Sequence, residues 1–283
     1  MKYRHSFHAG NFADVHKHVT LLALIAGLQR KDKGFLFFET HAGRGLYDLS
    51  TAEAQQAGES RQGIGALRAA RLRDPALTTY LAAVTAACAE SGLPHCYPGS
   101  PLLAARALRA QDRGLCCEIQ PPESRALERA LREYPRMRCE CTDGYAALKA
   151  HLPPVERRAL VLIDPPYEDQ SADLERALQA AAAVLQRLAN AVIALWYPVK
   201  DERDLVAWRA RAAQQLQAPT LRADLWLHPR DSRVALNGSG LLLVNPPFGF
   251  DTLAQAWLPE LGSALGADTH GGTALEWIAH EPH

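Results

Sequence analysis

No stretch of this sequence approaches the roughly 18 consecutive apolar residues of a membrane-spanning helix. The N-terminus also lacks the basic-then-apolar order of a secretory signal. Both absences point to a cytoplasmic chain with no membrane partner. Net charge is missing as well: 31 Lys and Arg balance 31 Asp and Glu. Bulk electrostatics therefore favour neither nucleic acid nor any other charged partner. The six cysteines contain no CxxC pair and no zinc-type spacing, so no metal is expected. Cys116-Cys117 and Cys139-x-Cys141 fall in expected strands, where free cysteine behaves as a small core hydrophobe. Gly43-Arg44-Gly45 lacks the third glycine of a dinucleotide fingerprint, and no Walker lysine follows it.

What is present describes an ordinary globular protein: 283 residues, 48% hydrophobic and 22% charged. That length suits one large α/β domain, with or without a small insertion. A helix is expected from about Phe12 to Arg30, with Val15, Val19, Leu22, Ile25 and Ala26 at helical spacing. His16 and His18 on it point to different faces and make a poor metal pair. Seven apolar runs read as strands: 35–38, 115–119, 137–141, 159–163, 191–196, 221–227 and 240–244. Helical patterns separate most of them, and alternation of this kind implies a mostly parallel seven-stranded sheet with helices on both faces. Residues 49–96 show only Ala-rich helical patterns broken by glycine and proline. They are expected as a helical insertion within a domain made of 1–48 and 97–283. Ser100 is a candidate N-cap for the helix that follows it.

In parallel sheets ligands bind beyond the carboxyl ends of the strands. Gly43, Glu118, Asp143 and Asp164 each fall at such an end, on four successive strands. The sharpest of these is Asp164-Pro165-Pro166-Tyr167, which stops the most apolar strand. The Asp164 carboxylate and the Pro165 carbonyl can both accept bonds from an exocyclic amine. The prolines fix φ and so aim these acceptors in advance, and the Tyr167 ring can stack on an unstacked base. A second motif, Asn245-Pro246-Pro247-Phe248, follows the last of the seven strands. That strand is expected to run antiparallel, which would put the motif at the opposite edge. The segment Tyr3-Arg4-His5-Ser6-Phe7-His8 combines rings and basic groups that suit RNA, or a tail folded on the domain.

Together the pieces resemble adenine-N6 methyltransferases that use S-adenosylmethionine, and more closely the bacterial 23S rRNA adenine-N6 methyltransferase family RlmJ. The resemblance runs nearly full length. It is carried by Tyr3-Arg4-His5-Ser6-Phe7-His8-Ala9-Gly10-Asn11, Thr40-His41-Ala42-Gly43, Tyr97-Pro98-Gly99-Ser100-Pro101, Asp143-Gly144, Ile163-Asp164-Pro165-Pro166-Tyr167-Glu168 and Ala194-Leu195-Trp196-Tyr197-Pro198. It implies a Rossmann-like class I methyltransferase fold with a small helical insertion, S-adenosylmethionine as cofactor, 23S rRNA as partner and a monomeric enzyme. His18 and His41, with Ser100 nearby, would line the methionine end of the cofactor. Glu118 would hold the ribose, and Asp143 with Gly144 the cofactor's adenine. Asp164, with Pro165 and Tyr167, would be catalytic. Tyr3 would contact RNA, with Arg4 and His5 beside it. The chain departs from the common pattern at Glu39, where an aspartate is usual, and at Arg44, where a small residue is commoner.

Other readings stay open on the residues alone. DNA adenine or a protein glutamine amide could replace the rRNA base, since each presents an amino group. A nicotinamide-dependent oxidoreductase is disfavoured by the missing glycine, and a non-catalytic RNA-binding module would leave the strand-end acids without a purpose.

Overall fold

Helix α1 (Phe12–Gln29) starts where the side chain of Asn11 accepts from the Asp14 amide. Its first two turns are buried throughout, which is unusual for a surface helix and explained by what covers them below. The computed structural model describes residues 8–93, 95–200, 202–229, 236–267 and 271–279. The parallel core of the sheet comprises β1 (Leu36–Glu39), β4 (Arg113–Cys117), β5 (Met137–Glu140), β6 (Ala159–Ile163) and β7 (Val192–Val199). Beyond β7 lie β9 (Gly238–Val244), β8 (Thr220–Trp226) and β10 (Gly272–Ala279), joined by antiparallel ladders. The order is β10-β8-β9-β7-β6-β1-β4-β5. All seven expected strands are in this sheet. The eighth, β10, adds a strand at the β8 edge that the sequence reading passed over. A separate pair, β2 (Leu46–Asp48) with β3 (Cys96–Pro98), brackets the 49–96 stretch.

Side chains alternate across the sheet with period two, and two cores result. Phe37, Cys116, Leu160, Leu162 and Ala194 face one way. Leu36, Phe38, Leu115, Val161, Ile163 and Leu195 face the other. The first core is covered by α1, α4 (Pro75–Ser91), α5 (Ser100–Ala107), α6 (Pro121–Ala130) and α10 (Phe250–Ala264). The second is covered by α7 (Gly144–His151), α8 (Gln170–Arg187) and α9 (Glu202–Leu216). Every residue of β6 is buried, as its unbroken apolar run requires of a strand covered on both faces. The 49–96 stretch holds α2 (Ala52–Ala57), a π-helical turn (Arg61–Gly65), α3 (Ala66–Ala69) and α4.

The cysteines divide by environment. Cys116 and Cys117 are buried thiols, as expected, whereas Cys141 is exposed just past the end of β5. Cys88 and Cys96 are joined in a disulfide between α4 and β3. The expected N-cap at Ser100 is also displaced: Gly99 occupies that position and Ser100 is the first residue of α5. Its hydroxyl is free to bond elsewhere because the helix begins one residue earlier than a serine cap demands.

Behind β7, Asp224 is 1% exposed and accepts from Tyr197, Arg209 and Arg222. Removing a buried carboxylate from two buried guanidinium groups typically costs about 3–5 kcal/mol. Asp224→Ala is expected to lower the free energy of unfolding by that amount, measured by urea denaturation.

Candidate active site

The four strand ends singled out from sequence belong to β6, β1, β4 and β5, which are neighbours in that order. Adjacent strands sit roughly 5 Å apart, so the polar groups after them share one edge. Asp164 follows β6, Thr40 and His41 follow β1, Glu118 follows β4, and Asp143 follows β5.

Helix α1 crosses this edge and aims three successive side chains in three directions, as steps of roughly 100° require. His16 Nδ1 lies 2.9 Å from Ser239 Oγ on β9, and the Trp196 indole donates to the same oxygen. Burial lowers the His16 pKa to about 3 and keeps the ring neutral. His18 Nδ1 lies 2.7 Å from the Tyr97 hydroxyl, which also meets Tyr80. Between them, Lys17 Nζ lies 2.5 Å from Asp164 Oδ2 and 2.9 Å from Asp14 Oδ1. Burial alone would lower the Lys17 pKa, but the Asp14 and Asp164 carboxylates outweigh it and hold it well above the ordinary value. This ammonium is the functional group that sequence reasoning missed. A charge at the i+3 position from an acid was legible; its reach to residue 164 was not.

The Asp164 loop is rigid for reasons its sequence supplies. Pro165 is buried and Pro166 exposed. Tyr167 takes a left-handed backbone with φ 52°, a conformation that costs roughly 1–3 kcal/mol and needs support. Support comes from its hydroxyl, which donates to the Trp196 carbonyl, and from its edge-on contact with the Trp196 ring. Tyr167 is only 7% exposed. It braces the loop and, placed there, offers no open face for a stacking base.

The cofactor-type residues are arranged around β1. Glu118 accepts from the Gly43 and Gln120 amides at 2.9 and 2.7 Å, which fixes the glycine turn against β4. Asp143 caps α7 by accepting from the Tyr145 and Ala146 amides. Gly144 is required by close approach: a Cβ there would lie 2.0 Å from the Thr40 carbonyl oxygen. His41 Nδ1 bonds Thr40 Oγ1 at 2.8 Å, its ring stands edge-on to Tyr145, and burial lowers its pKa to about 4. Glu39 is fully buried and bonds the Ser100 hydroxyl through Oε1, while Oε2 has no hydrogen-bond partner among the described residues. Burial raises its pKa to about 8.

The structure therefore brings His18, His41, Ser100, Glu118, Asp143, Gly144, Asp164 and Pro165 to one edge, with Glu39 and Lys17 among them. Tyr3, Arg4 and His5 lie outside the described residues. Among the described residues no three metal-ligating side chains converge. The Asn245-Pro246-Pro247-Phe248 motif lies at the other edge. Its strand runs antiparallel to β7, and the Asn245 amide donates to the carbonyls of Ala189 and Ala191, before and at the start of β7.

Comparison with known proteins identifies the family. The RsmJ family model, described as ribosomal RNA large subunit methyltransferase D, RlmJ, matches residues 32–279. This chain belongs to the RlmJ methyltransferase family. It is 37% identical to ribosomal RNA large subunit methyltransferase J of Escherichia coli K12, over 99% of this chain and all of that one. It is 34% identical to the protein of the same name from Haemophilus influenzae, with the same coverage. The crystal structure of protein LPL1258 from Legionella pneumophila superposes with a TM-score of 0.84 at 32% identity, covering 95% of this chain and 98% of that one. The RlmJ-type chain is thus a methyltransferase, and its sheet has the Rossmann-like class I strand order.

Glu39 gives a pH test. Its folded pKa is raised, so its neutral form stabilises the fold, and that stability is lost as pH rises from the ordinary carboxylate range through about 8. Glu39→Gln cannot ionise. Its melting temperature is expected to gain on that of the parent protein between about pH 5 and pH 9, as followed by calorimetry.

Proposed function

We propose that this enzyme transfers a methyl group from S-adenosylmethionine to the N6 amine of one adenine in 23S rRNA. The observation that carries the reading is the Asp164 carboxylate, fixed by a proline-framed loop and a buried lysine at the edge where the cofactor-type acids converge. The rRNA substrate follows the relatives, which are named ribosomal RNA large subunit methyltransferase J. The amine acceptor follows Asp164 and Pro165.

The residues fit the cofactor. The Oε2 of buried Glu39, without a hydrogen-bond partner among the described residues, and the neutral ring of His41 suit the methionine end, near His18 and the Ser100 hydroxyl. The Glu118 carboxylate beside the Gly43 turn suits ribose hydroxyls, and Asp143 with Gly144 suits the adenine amine. When bound, the cofactor supplies an electrophilic methyl on a sulfonium. An adenine amine is a weak nucleophile because its lone pair is delocalised into the ring. Bonds from its two hydrogens to Asp164 and the Pro165 carbonyl localise that pair and point it outward. As positive charge grows on the nitrogen, the carboxylate stabilises it. Lys17 occupies one Asp164 oxygen from the protein side and leaves the other for the substrate. The proton lost from nitrogen passes to Asp164 or to water. Trp196, itself held by Ser239, braces the Tyr167 loop throughout. Tyr3, Arg4 and His5 are proposed to meet the RNA, and residues 49–96 to form a helical subdomain. The enzyme is proposed to act as a cytoplasmic monomer.

The test is transfer of tritiated methyl to 23S rRNA followed by mapping of the modified base. A single N6-methyladenine supports the reading; methylation of DNA or of a glutamine amide, with RNA untouched, would overturn it. Asp164→Ala is expected to slow transfer by at least 10²–10³-fold, roughly the worth of one preorganised electrostatic partner.

A further inference from the structure

We infer that Glu59, in the helical segment far from the strand ends, is a positioning residue that acts on the Asp164 carboxylate through the start of α1. The inference rests on the reading of Asp164 given above.

The path is continuous. Glu59 Oε2 accepts from the Asn11 side-chain amide at 3.0 Å. The other end of the same amide, Asn11 Oδ1, accepts from the Asp14 backbone and caps α1 at 2.9 Å. Glu59 thereby fixes which way the capping amide faces. Asp14 Oδ2 accepts from the Gly10 amide at 3.0 Å, and its Oδ1 holds Lys17 at 2.9 Å. Lys17 reaches Asp164. Each member is tied at two points, so a shift at one end is passed on rather than absorbed.

The helical segment also grips the backbone of this turn. The Ile64 amide donates to the Gly10 carbonyl at 2.9 Å. Gly63 packs so closely that a Cβ would lie 2.0 Å from that same oxygen. Gly10 has φ 77°, which glycine alone adopts without penalty. Charge is balanced along the way. His8 bonds both oxygens of Glu59 at 2.9 and 3.0 Å. That bond, with the charges of Glu59 and Asp14, raises the His8 pKa and favours its cationic form. The turn preceding α1 therefore sits between a cation-carboxylate pair on the helical segment and another at the strand edge.

Misplacement of a reacting group by about 1 Å can cost a large rate factor. Loosening the Asn11 turn is expected to move Lys17 and leave the cofactor residues on β1, β4 and β5 in place. The test compares Glu59→Ala, Glu59→Gln and Asn11→Asp in the full chain. Glutamine keeps an oxygen for Asn11; Asn11→Asp keeps the cap but opposes two carboxylates. Readouts are methyl transfer to 23S rRNA, S-adenosylmethionine binding by calorimetry, and the NMR signal of the Lys17 ammonium. Glu59→Ala and Asn11→Asp are expected to lower kcat about tenfold, with cofactor affinity within about twofold and the Lys17 signal shifted. Glu59→Gln should recover most of the rate and the parental Lys17 signal. Rate and signal both indifferent to Glu59→Ala and Asn11→Asp would overturn the inference. Equal losses in Glu59→Gln and Glu59→Ala would do so too, by assigning Glu59 to folding alone. If Glu59→Ala does not fold, Asn11→Asp carries the comparison. If the parent protein transfers no methyl to rRNA, the reading of Asp164 fails, and the Lys17 signal alone then decides the role of Glu59.

Discussion

The ammonium of Lys17, buried between Asp14 and Asp164, is the constraint that the site depends on. A charge in that position is tolerated only with partners. Asp14 on the same helix and Asp164 after β6 supply them, and the bond to Asp164 ties α1 to the strand ends. Once α1 is seated, His16 and His18 follow. One is drawn to Ser239 and the Trp196 brace, the other to Tyr97 and the hairpin around the helical segment. The electrostatics of one side chain thus decide where three strands, two helices and the Asp164 loop meet.

The fold was largely legible because its strands are short, apolar and bounded by glycine, proline or acid. The runs 35–38 and 159–163 are apolar throughout, as strands that face a core on each side must be. β10 was passed over because Gly272–Ala279 mixes Glu276 and Thr273 with apolar residues and is only partly buried. It pairs as an edge strand whose polar side chains have uses of their own, Glu276 meeting Arg222. The 61–65 turn went unread because a π-helical turn has no composition of its own.

At the site, acids after strands could be placed from topology alone. Their partners could not, since the Lys17–Asp164 pair joins residues 147 apart in sequence. Tyr167 shows the reverse error. An aromatic after two prolines suggested an open platform, but the left-handed turn folds its ring inward against Trp196. Ser100 was read as a cap and serves Glu39 instead. In each case residue type was informative about chemistry and silent about direction. The Asn245 motif is the converse: its composition matches the Asp164 loop, and strand direction alone removes it from the site.

Strand β5 forms the outer end of the parallel sheet, with one side of its backbone unladdered among the described residues. Such a margin is a template on which another polypeptide can add itself, the first step toward fibrils or precipitates. Here the margin spans four residues, and Arg138 is exposed on it with Glu140 half-covered beside it. Few ladder bonds are on offer, and a neighbouring copy would have to strip water from charged groups to form them. Brevity and charge at this rim keep the sheet from recruiting its own kind along β5.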